Sequence, residues 1–397
     1  MMNRFCNGSV IIRDRILPDG EVLTLDDRIV EVGPSTGSSP GITLIDLEEG
    51  YLLPGFVDLH VHGGLGADFM DGTEESFSTV LQAHSYHGTT SLTPTSTVAP
   101  ANQILKFLEL TKKFLNHSHN GARVLGAHLY GPYFAPEARG CHPADSLRPP
   151  SHDDYKAYLA YADAIRTATV APELPGAQEF AQACQRAGIR LNVGHSHASF
   201  AQVETAIGWG VRHVDHLFCA MSDRARMKLQ QPYPMRGGVM EATLYFDELT
   251  TEIICDGVHL APDLIRLAYK VKGPQRLAVV SDTSRAMDMP DGLYMFGHPT
   301  SGQQIRKEGY QGLTVDRTGL ASGVVGLDYA FRVFLNATRA SLVDAAQVFS
   351  LTPARILGLE SLIGSIEVGK KADLLVFDRD FNLKRVFING REIARPF

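Results

Sequence analysis

From residue 55 onward the chain alternates between short apolar runs and longer stretches of helical periodicity. The apolar runs fall at 55–60, 89–97, 123–128, 168–173, 190–195, 212–217, 252–256 and 277–282. Runs this short suit strands buried on both faces better than buried helices. Between them, GAQEFAQACQRAG, FAQVETAIGWG, APDLIRLAYKVKG and LDYAFRVFLNATRA place apolar residues three and four apart, the spacing of a helix with one buried face. Eight strands separated by helices predict a (β/α)8 barrel of the TIM type. An open doubly wound sheet is the alternative, but no glycine-rich phosphate fingerprint follows the first run.

Both chain ends have a different texture. GSVIIRD, EVLTLDDRIVEVG and ITLIDLEEGYLLPG at the start, and GSIEVGKKADLLVFD and LKRVFINGREI at the end, read as short strands with turn punctuation. The pair Asn389-Gly390 is a hairpin signal. The expectation is a small β-sandwich domain built from residues 1–53 and 361–397, around a barrel at 54–360. The stretch 290–323, rich in glycine and charge, reads as an elaborated loop between the last strand and its helix.

The 397 residues carry a net charge of −7 and show no basic cluster, so nucleic acid is not an expected partner. Five scattered cysteines (Cys6, Cys141, Cys184, Cys219, Cys255) without CxxC spacing argue for a reducing compartment. No export signal or membrane span is visible in the sequence. A cytoplasmic protein with no membrane partner is expected.

In GFVDLHVHGG, His60 and His62 are two residues apart at the end of the first run, so in a strand they share a face. Two neutral imidazoles converging there could hold a divalent metal such as zinc. In a barrel of this kind, chemistry gathers at the C-terminal ends of the strands. Those ends read DLHVHG, GAHLYGP, VAPE, NVGHSH, VDHLFCAM and VVSDTS. His60, His62, His195, His216 and Asp282 are therefore expected on one face of the barrel, where four histidines and an aspartate define a metal site.

The motifs LLPGFVDLHVHGG, HLYGPYFAPEARGCHP, VAPE, GHSHA, DHLFCAM, CDGVHLAP, SDTSRAMDMPDGLY and TPARILGLESLIGSIEVGKKADLLVFD resemble, in order, the amidohydrolase superfamily. Within it they resemble the N-acetylglucosamine-6-phosphate deacetylase family. GHSHA, DHLFCAM and DGVH carry the deacetylase resemblance; the last and longest motif is general to amidohydrolases. The resemblance implies a metal-dependent deacetylase acting on an N-acetylated amino sugar, and a homodimer. It implies that His195 and His216 bind metal and that His60 and His62 add a second ligand pair. Asp282 would serve as general base and then acid, taking a proton from the attacking water and giving it to the leaving amine. His142 and His259 would meet the sugar phosphate, beside Cys219 and Ala220 of DHLFCAM.

Two positions depart from the family. Tyr130 stands where the family has a metal-ligating glutamate, and Cys219 stands where it has a phosphate-binding asparagine. The phosphate-pairing arginine has three candidates, Arg224, Arg226 and Arg236, with Arg226 in the predicted substrate set. Tyr130 could pack over the barrel mouth or donate its phenol to the developing oxyanion. A phenol is neutral near pH 7 and bridges two cations poorly, and two unbridged dications about 4 Å apart repel. One metal per chain is therefore expected, zinc by preference, held by His60, His62, His195 and Asp282, with His216 left to orient the water. Glu173 of VAPE is the other carboxylate that could substitute as a bridge. Competing readings are a deaminase, a cyclic-amide hydrolase (disfavoured by the absence of lysine in TATVAPE) and a non-catalytic amino-sugar-binding paralogue.

Overall fold

The computed structural model describes residues 1–34, 41–115 and 120–396. Its centre is a barrel of parallel strands. Strand one is Phe56–Val61, strand two Thr89–Pro94, and strand three is split into Arg123–Val124 and Ala127–Leu129. Strands four to eight are Ile165–Val170, Arg190–Val193, Val211–Val214, Thr250–Ile254 and Leu277–Val280. Backbone bonds join strands two and three (Leu125 N–H to Leu92 O, 2.9 Å) and close the ring between eight and one, where Asp282 N–H donates to His60 O at 3.0 Å.

Every residue of strand one is buried, because side chains fill the barrel inside and helices cover it outside. The helix Leu327–Thr338 buries Leu327, Phe331 and Phe334, the single apolar stripe its sequence spacing predicts. Phe200–Gly208 begins at a reciprocal cap: Ser199 accepts from Gln202 N–H while the Gln202 side chain accepts from Ser199 N–H, an arrangement that stabilises a helix start by about 1 kcal/mol.

The chain ends form two sheets. One has the order Arg28–Pro34, Gly20–Leu25, Met2–Cys6, Thr43–Asp46. The other mixes both termini: Arg391–Glu392, Leu383–Ile388, Leu374–Phe377, Tyr51–Pro54, Ser9–Ile11, Ile16–Leu17. Phe5, Val22 and Ile45 from the first sheet pack with Leu52, Leu374 and Phe387 from the second in one buried cluster. Asn389 and Gly390 take φ of 51° and 73°, the left-handed pair that a tight hairpin turn needs. Phe56 of strand one meets Phe331, Phe349 and Phe377 at 5.5, 5.2 and 6.0 Å between ring centroids, tying barrel, helix and terminal sheet together.

Two sequence expectations shift. Strand four runs 165–170 rather than 168–173, since Pro172 has no N–H to extend the ladder. The stretch 290–323 is no loop. It folds into a four-stranded antiparallel sheet, Gly292–Phe296, Gln303–Glu308, Gln311–Thr314 and Leu320–Ser322, whose glycine-rich turns masked the alternation within its strands. Among the described residues, no helix is long and apolar enough to cross a membrane.

Candidate active site

His195, His216 and Asp282 each lie two residues beyond a barrel strand, and each has a left-handed backbone, with φ of 46°, 26° and 46°. That conformation costs a side-chain-bearing residue about 1 kcal/mol or more and is concentrated at functional sites. Here it turns all three side chains into one cavity of about 410 Å³ at the C-terminal mouth of the barrel. His62, Tyr130 and His142 line the same cavity, as do Cys219, Ala220 and His259. His60 lies just behind, fully buried, its ring centroid 5.2 Å from that of His62, as the two-residue spacing predicts.

The hydrogen bonds of these imidazoles determine which nitrogen faces the cavity. Carbonyl and carboxylate oxygens only accept, so a ring nitrogen bonded to one must carry the proton. His60 Nδ1–H donates to Glu252 Oε1 at 2.7 Å, His62 Nδ1–H to Thr95 O at 3.3 Å, and His195 Nδ1–H to Ala138 O at 2.7 Å. Nε2 is therefore the nitrogen that each ring would offer a cation, once any proton on it is displaced. Burial, reinforced by nearby His216, pushes His195 well below the usual imidazole range and keeps it neutral.

Asp282 Oδ1 lies 3.2 Å from His62 Nε2 and 3.6 Å from His60 Nε2. Burial would raise its carboxyl, but His60 and His62 hold it well below the usual carboxylate range, so it is ionised at neutral pH. Ligand atoms of His60, His62 and Asp282 all fall within 4.8 Å of one another. His60 Nε2 is buried without a hydrogen-bond partner among the described residues, an arrangement that costs free energy unless something binds there. Against its own burial, Asp282 and Glu252 hold the His60 imidazole up to about 9, a sign of how strongly this spot attracts positive charge. Two imidazole lone pairs and a carboxylate fit a divalent cation of the zinc class.

His216 is engaged differently. Its Nε2 lies 2.5 Å from the Tyr130 hydroxyl, and its Nδ1 is buried without a partner among the described residues. Burial and the surrounding carboxylates raise the Tyr130 phenol well above its ordinary value, so it is a neutral donor. Neither His195 nor His216 belongs to the tight ligand group around Asp282, although both face the cavity. Glu173 is not a substitute bridge: Ser196 Oγ–H donates to Oε2 at 2.7 Å and His197 N–H to Oε1 at 2.5 Å. The carboxylate is spent holding the loop that carries His195.

Around the substrate space, His142 Nδ1 accepts from Val98 N–H at 3.3 Å, which leaves Nε2–H free to donate. His259 Nδ1 bonds Asp256 Oδ2 at 2.7 Å; burial opposes its charge, but Asp256 raises it above the usual imidazole value, as suits an anion. Burial pushes the Cys219 thiol up to about 12, so it faces the cavity as a neutral thiol. Arg226 is not on the cavity wall; it lies beside His197, which is. Arg224 and Arg236 are exposed. The sequence reading missed Glu137 and His197 at the rim, and Phe296 and Leu320–Ser322, which the inserted sheet brings over the mouth. It also missed Glu252, whose signal was a carboxylate inside the otherwise uncharged strand TTEII.

Comparison with known proteins gives this arrangement a family. The amidohydrolase family pattern matches residues 51–393. The N-acetylglucosamine-6-phosphate deacetylase of Bos taurus is 32% identical over 87% of this chain and 85% of its own. The chain belongs to the amidohydrolase family and, within it, to the branch of the N-acetylglucosamine-6-phosphate deacetylases. The crystal structure of the Pasteurella multocida deacetylase superposes with a TM-score of 0.92 at 27% identity, covering 100% of both chains. An Asp-to-Ala mutant of the Mycobacterium smegmatis deacetylase, solved with N-acetyl-D-glucosamine-6-phosphate, gives 0.88 at 26% identity over 99% of each chain.

Proposed function

We propose that this chain removes the acetyl group from an N-acetylated amino sugar, N-acetylglucosamine 6-phosphate above all, by metal-dependent amide hydrolysis. The observation that carries the reading is the convergence of ionised Asp282 with the Nε2 atoms of His62 and His60, 3.2 and 3.6 Å away, at the end of a cavity sized for a sugar. His60, His62 and Asp282 would hold the ion, and His195 faces the same cavity. A divalent cation supplies activation of water near neutral pH and polarisation of the acyl oxygen.

Asp282 takes the proton of the attacking water and delivers it to the amide nitrogen, because an amine leaves poorly unless protonated. Tyr130, a buried neutral phenol on the cavity wall, donates to His216 Nε2 and holds that ring in place. His142 donates from Nε2 to a sugar or acyl oxygen. His259, with Asp256 behind it, meets the phosphate, and Arg226 adds positive charge at the rim. Acetate release should be measured on N-acetylglucosamine and N-acetylgalactosamine, each with and without the 6-phosphate. No release from any of them would overturn the reading in favour of a non-catalytic binder.

A charge-assisted hydrogen bond contributes about 1.5–3 kcal/mol. His259→Ala is therefore expected to lower kcat/KM for the phosphorylated sugar by roughly 10- to 100-fold, mostly through KM, and to leave the free sugar nearly unchanged. Equal kcat/KM for the two forms in the wild type would mean that Cys219 marks a change of specificity.

The partner is a second copy of the chain, in the cytoplasm. The segment leading from the cavity exposes Leu229 at 82%, Tyr233 at 83%, Met235 at 61% and Tyr245 at 71%, an apolar group of the kind that marks an interface. Light scattering should give twice the chain mass; a monomer at micromolar concentration would contradict it.

A further inference from the structure

We propose that Glu252 is a positioning residue that sets the metal affinity of the site through His60, with His213 as its own support. The inference rests on the reading above in which His60 is a metal ligand.

Glu252 sits on strand seven, 1% exposed, and does not line the cavity. Its Oε1 accepts from His60 Nδ1–H at 2.7 Å, and its Oε2 accepts from His213 Nε2–H at 3.1 Å. His213 in turn meets the Thr250 hydroxyl at 2.8 Å through Nδ1. The carboxylate also receives the backbone N–H of His216 at 3.4 Å, so one side chain braces both His60 and the end of strand six. A carboxylate behind a ligating imidazole does two things: it fixes the tautomer and ring orientation, and it makes the outward nitrogen a better donor. Loss of the bond would free His60 to place its proton on Nε2, where it would compete with the ion.

A charge buried this deeply is expensive unless fully paired, and here the pairing is complete. His213, Asp215 and Glu252 have a spacing that could itself cage a cation. Their carboxylate oxygens already have protein donors, however: Asp215 takes Thr169 Oγ–H at 2.6 Å and Asn192 Nδ2–H at 2.8 Å. The cluster is spent on support, not on an ion of its own.

The test is a zinc titration of chelator-stripped protein against a competing fluorescent chelator, with circular dichroism to verify the fold. Glu252→Gln is expected to weaken zinc binding by about 10- to 100-fold while the fold stays intact. His213→Gln, which leaves Glu252 in place but slackens it, should weaken binding by about threefold or more. A dissociation constant within twofold of wild type in folded Glu252→Gln would overturn the proposal. Should Glu252→Gln fail to fold, unchanged affinity in His213→Gln overturns it instead. His60→Ala separates the two levels. If it binds zinc as the wild type does, the assignment of His60 as ligand fails, and the proposal with it; if it loses zinc while both other variants keep it, only the role of Glu252 fails.

Discussion

Replacing Asp282 by Asn is expected to lower kcat for N-acetylglucosamine 6-phosphate by roughly 10²- to 10⁴-fold, the usual contribution of a positioned general acid–base. The side chain that would be lost is ionised and points into the cavity, 3.2 Å from His62 Nε2. Asn has the same shape but cannot take up the water's proton or return it to the amine. KM should change little, and most of the bound metal should stay, because the amide oxygen that replaces the carboxylate can still face the ion beside His60 and His62. Steady-state kinetics and elemental analysis on the same preparation check both halves. Turnover near the wild-type level would show that the proton passes through another group.

A second large effect is expected in metal content. Wild-type protein after extensive dialysis should hold about one equivalent of a divalent metal, zinc by preference, and His60→Ala should lose it. The physical argument starts from Tyr130. A bridging carboxylate would let two dications sit close together, whereas a buried phenol held in its neutral form cannot offset their repulsion. Tyr130 also occupies His216 Nε2. The other available carboxylate, Glu173, already accepts from Ser196 and His197. What remains among the described residues is one group of close ligand atoms by the cavity, from His60, His62 and Asp282. Two equivalents per chain in the wild type, or full retention of metal in His60→Ala, would contradict this account.

Much of the protein was legible before any coordinates. The barrel followed from the alternation of buried runs and amphipathic stretches, because each element's periodicity is written in its own residues. That His60 and His62 share a face follows from the pleat alone, and their rings lie 5.2 Å apart. His195, His216 and Asp282 were expected on one face because barrel chemistry gathers at strand ends, and all three line one cavity. The hairpin at Asn389-Gly390 needed only two residues that tolerate positive φ.

Only the tertiary structure decided how those side chains are used. His60 owes its orientation to Glu252, 192 residues away along the chain, and His216 meets Tyr130 across 86. Glu173, a free carboxylate when read as sequence, is consumed by a loop from the neighbouring strand. The sheet over the mouth is held by pairing among four strands whose turns hid them. Sequence patterns report which face of an element is buried, because that is a local property of spacing. Which nitrogen of a histidine carries a lone pair, and which carboxylate is already spoken for, depends on hydrogen-bond partners brought in by other strands, and those are determined only when the barrel closes.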